Sequence, residues 1–496
     1  MRRKLPSPLA IAASLVFAAA GTVSAADRPN ILMVLSDDLG YGDIACFGCK
    51  DVQTPNLDRF AAESLKLTAC YAGHPNCSPS RTALMTGRTP TRVGVRDWIP
   101  EESPVHVRAS EITVARLLQQ AGYNTCHTGK WHLNGEFNKP TQPQPSDLGF
   151  DHWFSTQNNA YPNHRNPDNF VRNGKEVGRM EGYAAHLVAD EALHWLTDVR
   201  DKAKPFFLYV CFHEPHEPIA SDDKYAKLYP SDDPSYSAHH GNITQMDAAF
   251  GRLMRALDEQ RLRDNTLVFF SSDNGPAITA QHPHGSAGPL RDKKGAVYEG
   301  GIRVPGIVRW PGHTKPGSVS DEPVGFVDFL PTVCEITGII PPKDRHLDGA
   351  SFLPVLDGKP VRRTQPLYWQ FNRASSTPKV AMRDGDWKIL AALDKTPAAR
   401  SNDITEEGER DFKAANLVNF ELYNLKADIG ETKNLAAGEP AKLAELRTKL
   451  QPLYEQVRAE SPTWPAWKFT GAEGKKIQWP DYVTKKKKPA AAPKAR

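Results

Sequence analysis

This 496-residue chain lacks three things that would each point to a partner or a compartment. After its first few dozen residues it has no apolar run near the roughly 20 residues that a membrane-spanning helix needs, which argues against stable membrane insertion. It has no surplus of one charge. The formal net charge is +4, part of it in the first residues and in Lys485-Lys486-Lys487-Lys488-Pro489, so the body is near neutral and offers nucleic acid no electrostatic footprint. It also lacks a second cysteine pair. Cys46 and Cys49 make one C-x-x-C among seven cysteines, and no further pair follows with zinc spacing. Spacing leaves open whether these two form a disulfide or stay thiols, and the odd count leaves at least one cysteine without an intramolecular partner. Cys211 and Cys334 fall in apolar segments and read as small core residues. No internal repeat is found.

What is present begins with an address. Arg2, Arg3 and Lys4 precede an apolar run over residues 9–21, and Val23-Ser24-Ala25 ends in small residues. This order predicts a secretory signal peptide over residues 1–25 and an exported protein, periplasmic or secreted; an uncleaved anchor is the alternative. Residues 26–360 are expected to form a catalytic domain and 361–470 a small C-terminal subdomain. Residues 471–496 are expected to be a basic disordered tail, because their Lys, Ala and Pro cannot build a core.

Asn30-Ile31-Leu32-Met33-Val34-Leu35-Ser36 is an apolar run short enough to be a buried strand, and Asp37-Asp38-Leu39-Gly40-Tyr41-Gly42-Asp43 follows as a loop. A helix is expected from Thr54 through Leu65, with others over 113–120, 184–199 and 246–260. Further strands are expected at 205–212, 266–271 and, more weakly, 306–310. Strands alternating with helices predict an α/β fold with a mostly parallel sheet covered on both faces. Short strands at 367–371, 380–383, 387–391 and 421–425, followed by an amphipathic helix over 440–460, predict a smaller antiparallel sheet with one helix on it.

In such sheets a ligand site lies beyond the carboxyl ends of the strands. Two strand ends run straight into acidic residues, Asp37-Asp38 and Asp273-Asn274-Gly275. Asp37, Asp38, Asp273 and Asn274 offer hard oxygens without an imidazole, which suits Ca2+, with Mg2+ as the stricter alternative. Each motif alone also reads as a turn, since Asp, Asn and Gly dominate turns. Cys77-Ser78-Pro79-Ser80-Arg81 opens a short helical stretch, so residue 77 sits where free amides favour an anion; a plain cysteine there is expected to have a lowered pKa.

With these segments in order, the chain resembles the formylglycine-dependent sulfatases, in the arylsulfatase A and N-acetylgalactosamine-6-sulfatase branch. The resemblance runs from Asn30 to about Glu460. It includes Cys-x-Pro-x-Arg at Cys77, Thr54-Pro55-Asn56-Leu57-Asp58, Thr128-Gly129-Lys130-Trp131-His132, Pro215-His216 and Lys294-Gly295-Ala296-Val297-Tyr298-Glu299-Gly300-Gly301. Asn76 and Thr128 depart from the commoner residues, neither replacing a chemical group. The resemblance implies an alkaline-phosphatase-like fold, a Cys77 converted to formylglycine by a maturation enzyme, and a cation held by Asp37, Asp38, Asp273, Asn274 and residue 77.

By the same resemblance one hydroxyl of the hydrated aldehyde attacks sulfur, with Asp273 able to accept its proton. His216 protonates the leaving oxygen, Lys130 and Lys294 hold sulfate oxygens, and Arg81 steadies the diol and the metal-side charge. His132 takes the second hydroxyl's proton so that the sulfo-enzyme collapses and releases sulfate. From the residues alone Lys130 and His132 also read as an exposed polar pair, His213 competes with His216, and Lys293 competes with Lys294. His282 and His284, the loops near Asp97-Trp98 and over 158–172 and 282–291, and the aromatics Trp98, Trp153 and Tyr161 are candidates for reading a sulfated carbohydrate substrate. A phosphonate or phosphate monoester hydrolase and a non-catalytic sulfated-glycan binder are the alternatives weighed. The sequence names neither the sugar nor the oligomeric state.

Overall fold

A computed structural model of the chain describes residues 28–396 and 402–485; the expected signal peptide lies outside them. The large sheet is built from β1 (Asn30–Asp37), β2 (Leu65–Tyr71), β3 (Asn124–Lys130), β4 (His152–Thr156), β5 (Val171–Arg172), β6 (Lys175–Glu176), β7 (Phe206–Pro215), β8 (Thr266–Ser272), β9 (Arg303–Arg309), β10 (Ser318–Ser320) and β11 (Val324–Gly325). Its order is β10-β2-β9-β8-β1-β7-β3-β4-β5-β6, with β11 also on β2. The centre, β8-β1-β7-β3-β4, is parallel, while β9 runs antiparallel to both of its neighbours.

β1 shows why an unbroken apolar strand belongs at the centre. Ile31, Met33 and Leu35 enter the core on one face, and Leu32 and Val34 enter the core on the other. With side chains alternating between two buried faces, every position is apolar. Because the central strands are parallel, the residues that end β1, β3, β7 and β8 emerge on one side.

A second sheet follows: β12 (Leu367–Gln370), β13 (Val380–Asp384), β14 (Trp387–Leu393) and β15 (Leu417–Asn424), paired antiparallel in chain order. The helix Pro440–Glu460 lays Leu446, Leu450, Leu453, Tyr454 and Val457 on one face of it, at the spacing that keeps side chains on one helical stripe. The other face shares a core with the large sheet through Tyr71, Tyr298 and Ile302 against Trp369, Leu390 and Tyr423. Charge locks the same seam. Lys388 Nζ lies 2.9 Å from both Glu299 Oε1 and Glu431 Oε1, and all three side chains are fully buried.

Several expectations need correction. The helix that begins after Thr54 stops at Ala62, and Leu65 instead opens β2. The helix expected over 246–260 is the second half of Pro234–Glu259, whose start is set by Asp233 capping the Ser235 amide at 2.9 Å and by Pro234 in the first turn. The segment over 184–199 changes from α to π winding after His194. Of the two alternatives that spacing left open for Cys46 and Cys49, the structure has both as free thiols.

The largest correction is the tail. Residues 471–484 are packed, not disordered: Glu473 and Val483 are buried, and a short helix covers Asp481–Lys485. Asn158 and Asn159 donate amides to Glu473 Oε1, the Gln478 amide donates to the Pro162 carbonyl, and Tyr482 Oη lies 2.9 Å from His282 Nε2. Residues 486–496, the rest of the expected tail, lie outside the described residues.

Lys388→Met removes the shared cation from two buried carboxylates, and breaking a buried ion pair from one side costs about 3–5 kcal/mol. Urea denaturation of the variant is expected to show a loss of that size; a change below about 1 kcal/mol would show that the seam is held by its apolar contacts alone.

Candidate active site

β1 ends in Asp37, whose side chain is fully buried, and the chain then turns sharply with Asp38 at φ 66°, a left-handed conformation that Asp tolerates better than most residues. The turn is held on both sides. The Asp38 amide donates to Asp273 Oδ1 at 3.2 Å, beyond the end of β8, and the Gly40 amide donates to Asp43 Oδ2 at 2.7 Å. A Cβ on Gly40 would sit 2.1 Å from the Ser286 carbonyl oxygen, so no other residue fits that close approach. Asp43 spends its other oxygen on the Ser286 amide at 2.7 Å, which makes it a strut for the loop and not a site group.

The helix Cys77–Thr86 is buried along its whole length and brings Cys77 to this end of the sheet. The Cys77 thiol donates to Asp37 Oδ1 at 3.6 Å and accepts from Lys294 Nζ at 3.4 Å. Lys130, the last residue of β3, donates to Asp37 Oδ2 at 2.6 Å. Lys294 lies 2.6 Å from Asp38 Oδ1, and His216 Nε2 stands 3.6 Å from Asp38 Oδ2. One turn along the helix from Cys77, Arg81 donates through Nε and Nη2 to Asp273 Oδ2 at 2.9 and 2.8 Å, and through Nη1 to the Lys130 carbonyl at 2.8 Å.

The expected set is thus assembled from six distant segments. Arg81 holds Asp273, one of the expected oxygen donors. His132, at φ 57°, is buried with Nε2 on the Ile99 carbonyl at 3.1 Å and Nδ1 without a partner. Lys130 and His132 are therefore not an exposed pair. The competitors are used elsewhere: His213 Nε2 binds Thr156 Oγ1 at 2.8 Å, Lys293 reaches the Ile278 carbonyl, and Trp153 and Tyr161 are buried. His282 and His284 are bonded to Glu217 and Ser235.

Burial dominates the electrostatics. It pushes the Cys77 thiol up, and the nearby Lys130 and Lys294 do not reverse this. The expectation of a lowered thiol pKa is therefore wrong, because a helix terminus acts weakly against full desolvation. Burial acts to raise Asp37 too, but Lys130, His216, Arg81 and Lys294 together hold it well below the usual carboxylate range. Asp273 is pushed up to about 7, by burial first and then by Asp37. Burial carries His132 well below the ordinary imidazole value, with Lys130 and Arg81 adding to it.

Ligand atoms of Asp37, Asp38, Cys77 and His216 lie within 4.8 Å of one another. Asn274 donates its amide nitrogen to Asp38 Oδ1 at 2.7 Å, which leaves its Oδ1 buried and without a hydrogen-bond partner. A buried carbonyl oxygen beside clustered carboxylates is what a hard cation uses, so the donor set fits one. Asp273 adjoins this group, its Oδ1 accepting from the Asp38 amide and its Oδ2 from Arg81.

Sequence reasoning gave no structural role to Asn76 and did not reach Gln157. Asn76, next to Cys77, donates to Asp97 Oδ1 at 2.9 Å, and Gln157 holds the Ile99 and Asn134 carbonyls. No motif marks them, since their partners are distant in sequence.

Residues 29–339 match the Sulfatase family, and residues 290–407 match the N-sulphoglucosamine sulphohydrolase C-terminal family. The chain is 31% identical to N-acetylgalactosamine-6-sulfatase of Sus scrofa over 520 residues, covering 95% of this chain and 97% of that protein. It is 33% identical to arylsulfatase A of Homo sapiens, covering 89% and 90%. The structure of Ps i-CgsB in complex with k-i-k-neocarrahexaose superposes with a TM-score of 0.75 at 27% identity, over 90% of this chain and 96% of that one.

Arg81→Ala leaves Asp273 buried without its cation, and a loss of about 3–5 kcal/mol is expected in chemical denaturation. Arg81→Lys is expected to recover less than half of it, because an ammonium cannot reproduce a fork that serves two acceptors. Full recovery by lysine would show that charge alone matters there.

Proposed function

The chain belongs to the sulfatase family, and on that premise we propose that it hydrolyses sulfate monoesters of carbohydrates by S–O cleavage, with residue 77, converted to formylglycine, as nucleophile. The observation that carries this reading is the placing of Cys77 between Lys294 and Asp37, at the start of a buried helix and against clustered carboxylates. An unmodified thiol suits that place poorly, since burial keeps it protonated. The hydrated aldehyde of formylglycine supplies one hydroxyl to attack sulfur and a second whose deprotonation releases sulfate. A calcium ion would be held by Asp37, Asp38, Asp273, Asn274 and residue 77, and would supply Lewis-acid activation of that hydroxyl and charge for a sulfate oxygen.

The remaining work falls to the chain's own groups. Lys130 and Lys294 converge on the carboxylates from two sides and can turn their ammonium groups to sulfate oxygens, spreading the charge that builds on them. Asp273, the carboxylate pushed up toward neutrality, is suited to accept the attacking hydroxyl's proton. His216, at the rim and partly open to solvent, is placed to protonate the departing sugar oxygen. His132 is held as neutral imidazole with an unpaired buried nitrogen, which suits a base for the second hydroxyl.

Conversion of Cys77 would need a maturation enzyme. Cys77 is 2% exposed and Arg81 is fully buried, which supports its acting before the chain folds. Export through a signal peptide provides such a stage. Among the described residues no helix is long and apolar enough to cross a membrane.

Co-expression with a formylglycine-generating enzyme is expected to yield a protein that releases inorganic sulfate from sulfated oligosaccharides and aryl sulfates. Cys77→Ala or removal of calcium should lower the rate at least about a hundredfold, the scale of removing a nucleophile or a Lewis acid. Release of phosphate or phosphonate from the corresponding esters, with no sulfate released although residue 77 is converted, would overturn the reading.

A further inference from the structure

His132 uses one ring nitrogen and leaves the other idle, and which is which decides where it can take a proton. Its Nε2 lies 3.1 Å from the Ile99 carbonyl, and a carbonyl oxygen only accepts, so Nε2 carries the proton. Burial keeps the ring neutral, which leaves Nδ1 with its lone pair, buried and without a partner among the described residues. The state of His132 thus hangs on one main-chain oxygen. We propose that Gln157 is a positioning residue for sulfate release: it clamps the Ile99 carbonyl and so holds His132 as the Nε2–H tautomer with Nδ1 bare. The inference rests on the sulfatase reading above and gives a role to a residue that the reading leaves without one.

The fold brings Gln157 to that carbonyl. β3 and β4 pair in parallel with Lys130 opposite Thr156, and the pairing runs on past both strand ends. The Trp131 amide donates to the Thr156 carbonyl at 3.0 Å, and the His132 amide donates to the Gln157 carbonyl at 2.7 Å. His132 and Gln157 are therefore fixed to one another through their main chains. The Gln157 side chain, 5% exposed, then gives its amide hydrogens to two carbonyls, Ile99 at 3.1 Å and Asn134 at 2.7 Å. Asn134 follows His132 by two residues, so the glutamine grips both the loop that bears the imidazole and the oxygen that the imidazole binds.

Its orientation is forced. Turning the amide over would set Oε1 against two carbonyl oxygens, where nothing donates. As placed, Oε1 is buried and without a partner, so the side chain keeps its donors where they are needed although its acceptor goes unmet. The amide side of Ile99 is held too. It donates at 3.0 Å to Oγ of Ser78, the residue after Cys77 on the buried helix. Ile99 thereby joins the helix that carries residue 77 to the imidazole that serves it, and Gln157 fastens this joint on its carbonyl side.

In the release step His132 Nδ1 takes the proton of the second hydroxyl. The O–H electron pair becomes the C=O of the aldehyde, the neighbouring C–O bond breaks, and sulfate leaves with the electrons of that bond. The ring ends with a proton on each nitrogen and keeps its bond to Ile99. A loosened carbonyl would let the ring turn or change tautomer, and this would slow release alone, since attack on sulfur and protonation of the leaving sugar use Asp273 and His216.

Two measurements test this. Nitrogen NMR of the unconverted protein, labelled at its histidine rings, is expected to report the Nε2–H tautomer for His132, whose signals are assigned by their loss in His132→Gln. Gln157→Leu is expected to show both tautomers. With converted enzyme and a nitrophenyl sulfate, Gln157→Leu is expected to release a burst of about one nitrophenol per active site. Steady turnover should then be at least about tenfold slower than in the wild type, the scale of a misplaced group, with the sulfo-enzyme visible by intact mass. The burst itself reports that the variant is folded, and Gln157→Met, of similar length and also without a donor, repeats the test if leucine is not tolerated. An Nδ1–H tautomer in the wild type would overturn the proposal. So would variants in which the burst and the steady rate slow alike, the mark of a merely structural residue, or in which neither changes. Absence of sulfate release by the converted wild type, or of sulfo-enzyme accumulation in His132→Ala, would instead bring down the reading on which the proposal rests.

Discussion

Everything at the active end of this protein depends on keeping three carboxylates dry. Asp37, Asp38 and Asp273 are at most 3% exposed and gathered around the ends of β1 and β8. Left alone they would repel one another and resist ionisation. The protein answers with three cations from three other segments: Arg81 from the buried helix, Lys130 from β3 and Lys294 from the loop before β9. Those ion pairs fix the positions of the elements that bear them, so the electrostatics of the site and the packing of the sheet ends are one problem. A parallel sheet is what makes this affordable, since it delivers the ends of β1, β3, β7 and β8 to the same side without long loops.

The same constraint explains what was legible in the sequence. Strand ends running into Asp37-Asp38 and Asp273-Asn274, and the Cys77 to Arg81 motif, declare themselves because each is local and each follows an apolar run or opens a helix. The parallel sheet, the small antiparallel sheet and the 440–460 helix were readable for similar reasons of period. Less legible was whatever depends on distant partners. Leu65 reads as the end of an amphipathic helix until β9 is seen to pair with it, and β4 has no alternation because both of its faces are buried. The thiol of Cys77 was misjudged because position in a helix is visible in sequence and depth of burial is not.

The C-terminal segment is the instructive miss. Its lysines and alanines suggested disorder throughout, yet Trp479, Tyr482 and Val483 precede the lysine run and are the residues that a packed segment needs. Glu473 would be costly to bury without partners; Asn158 and Asn159 supply them from the loop after β4. In this way residues 464–484 pass from Trp98, beside His132, to His282, which is bonded to Glu217.

Around residue 77 the groups are charged, buried and mutually committed, so almost any substitution there is penalised through the whole cluster and the chemistry is held fixed. Toward Trp464 and Trp467 the contacts are mixed: ring contacts and single hydrogen bonds stand beside the ion pairs of Arg96 with Glu409 and of Arg373 with Asp97. The two regions meet at Asp97, which accepts from Asn76, the residue before Cys77, and pairs with Arg373 of the small subdomain.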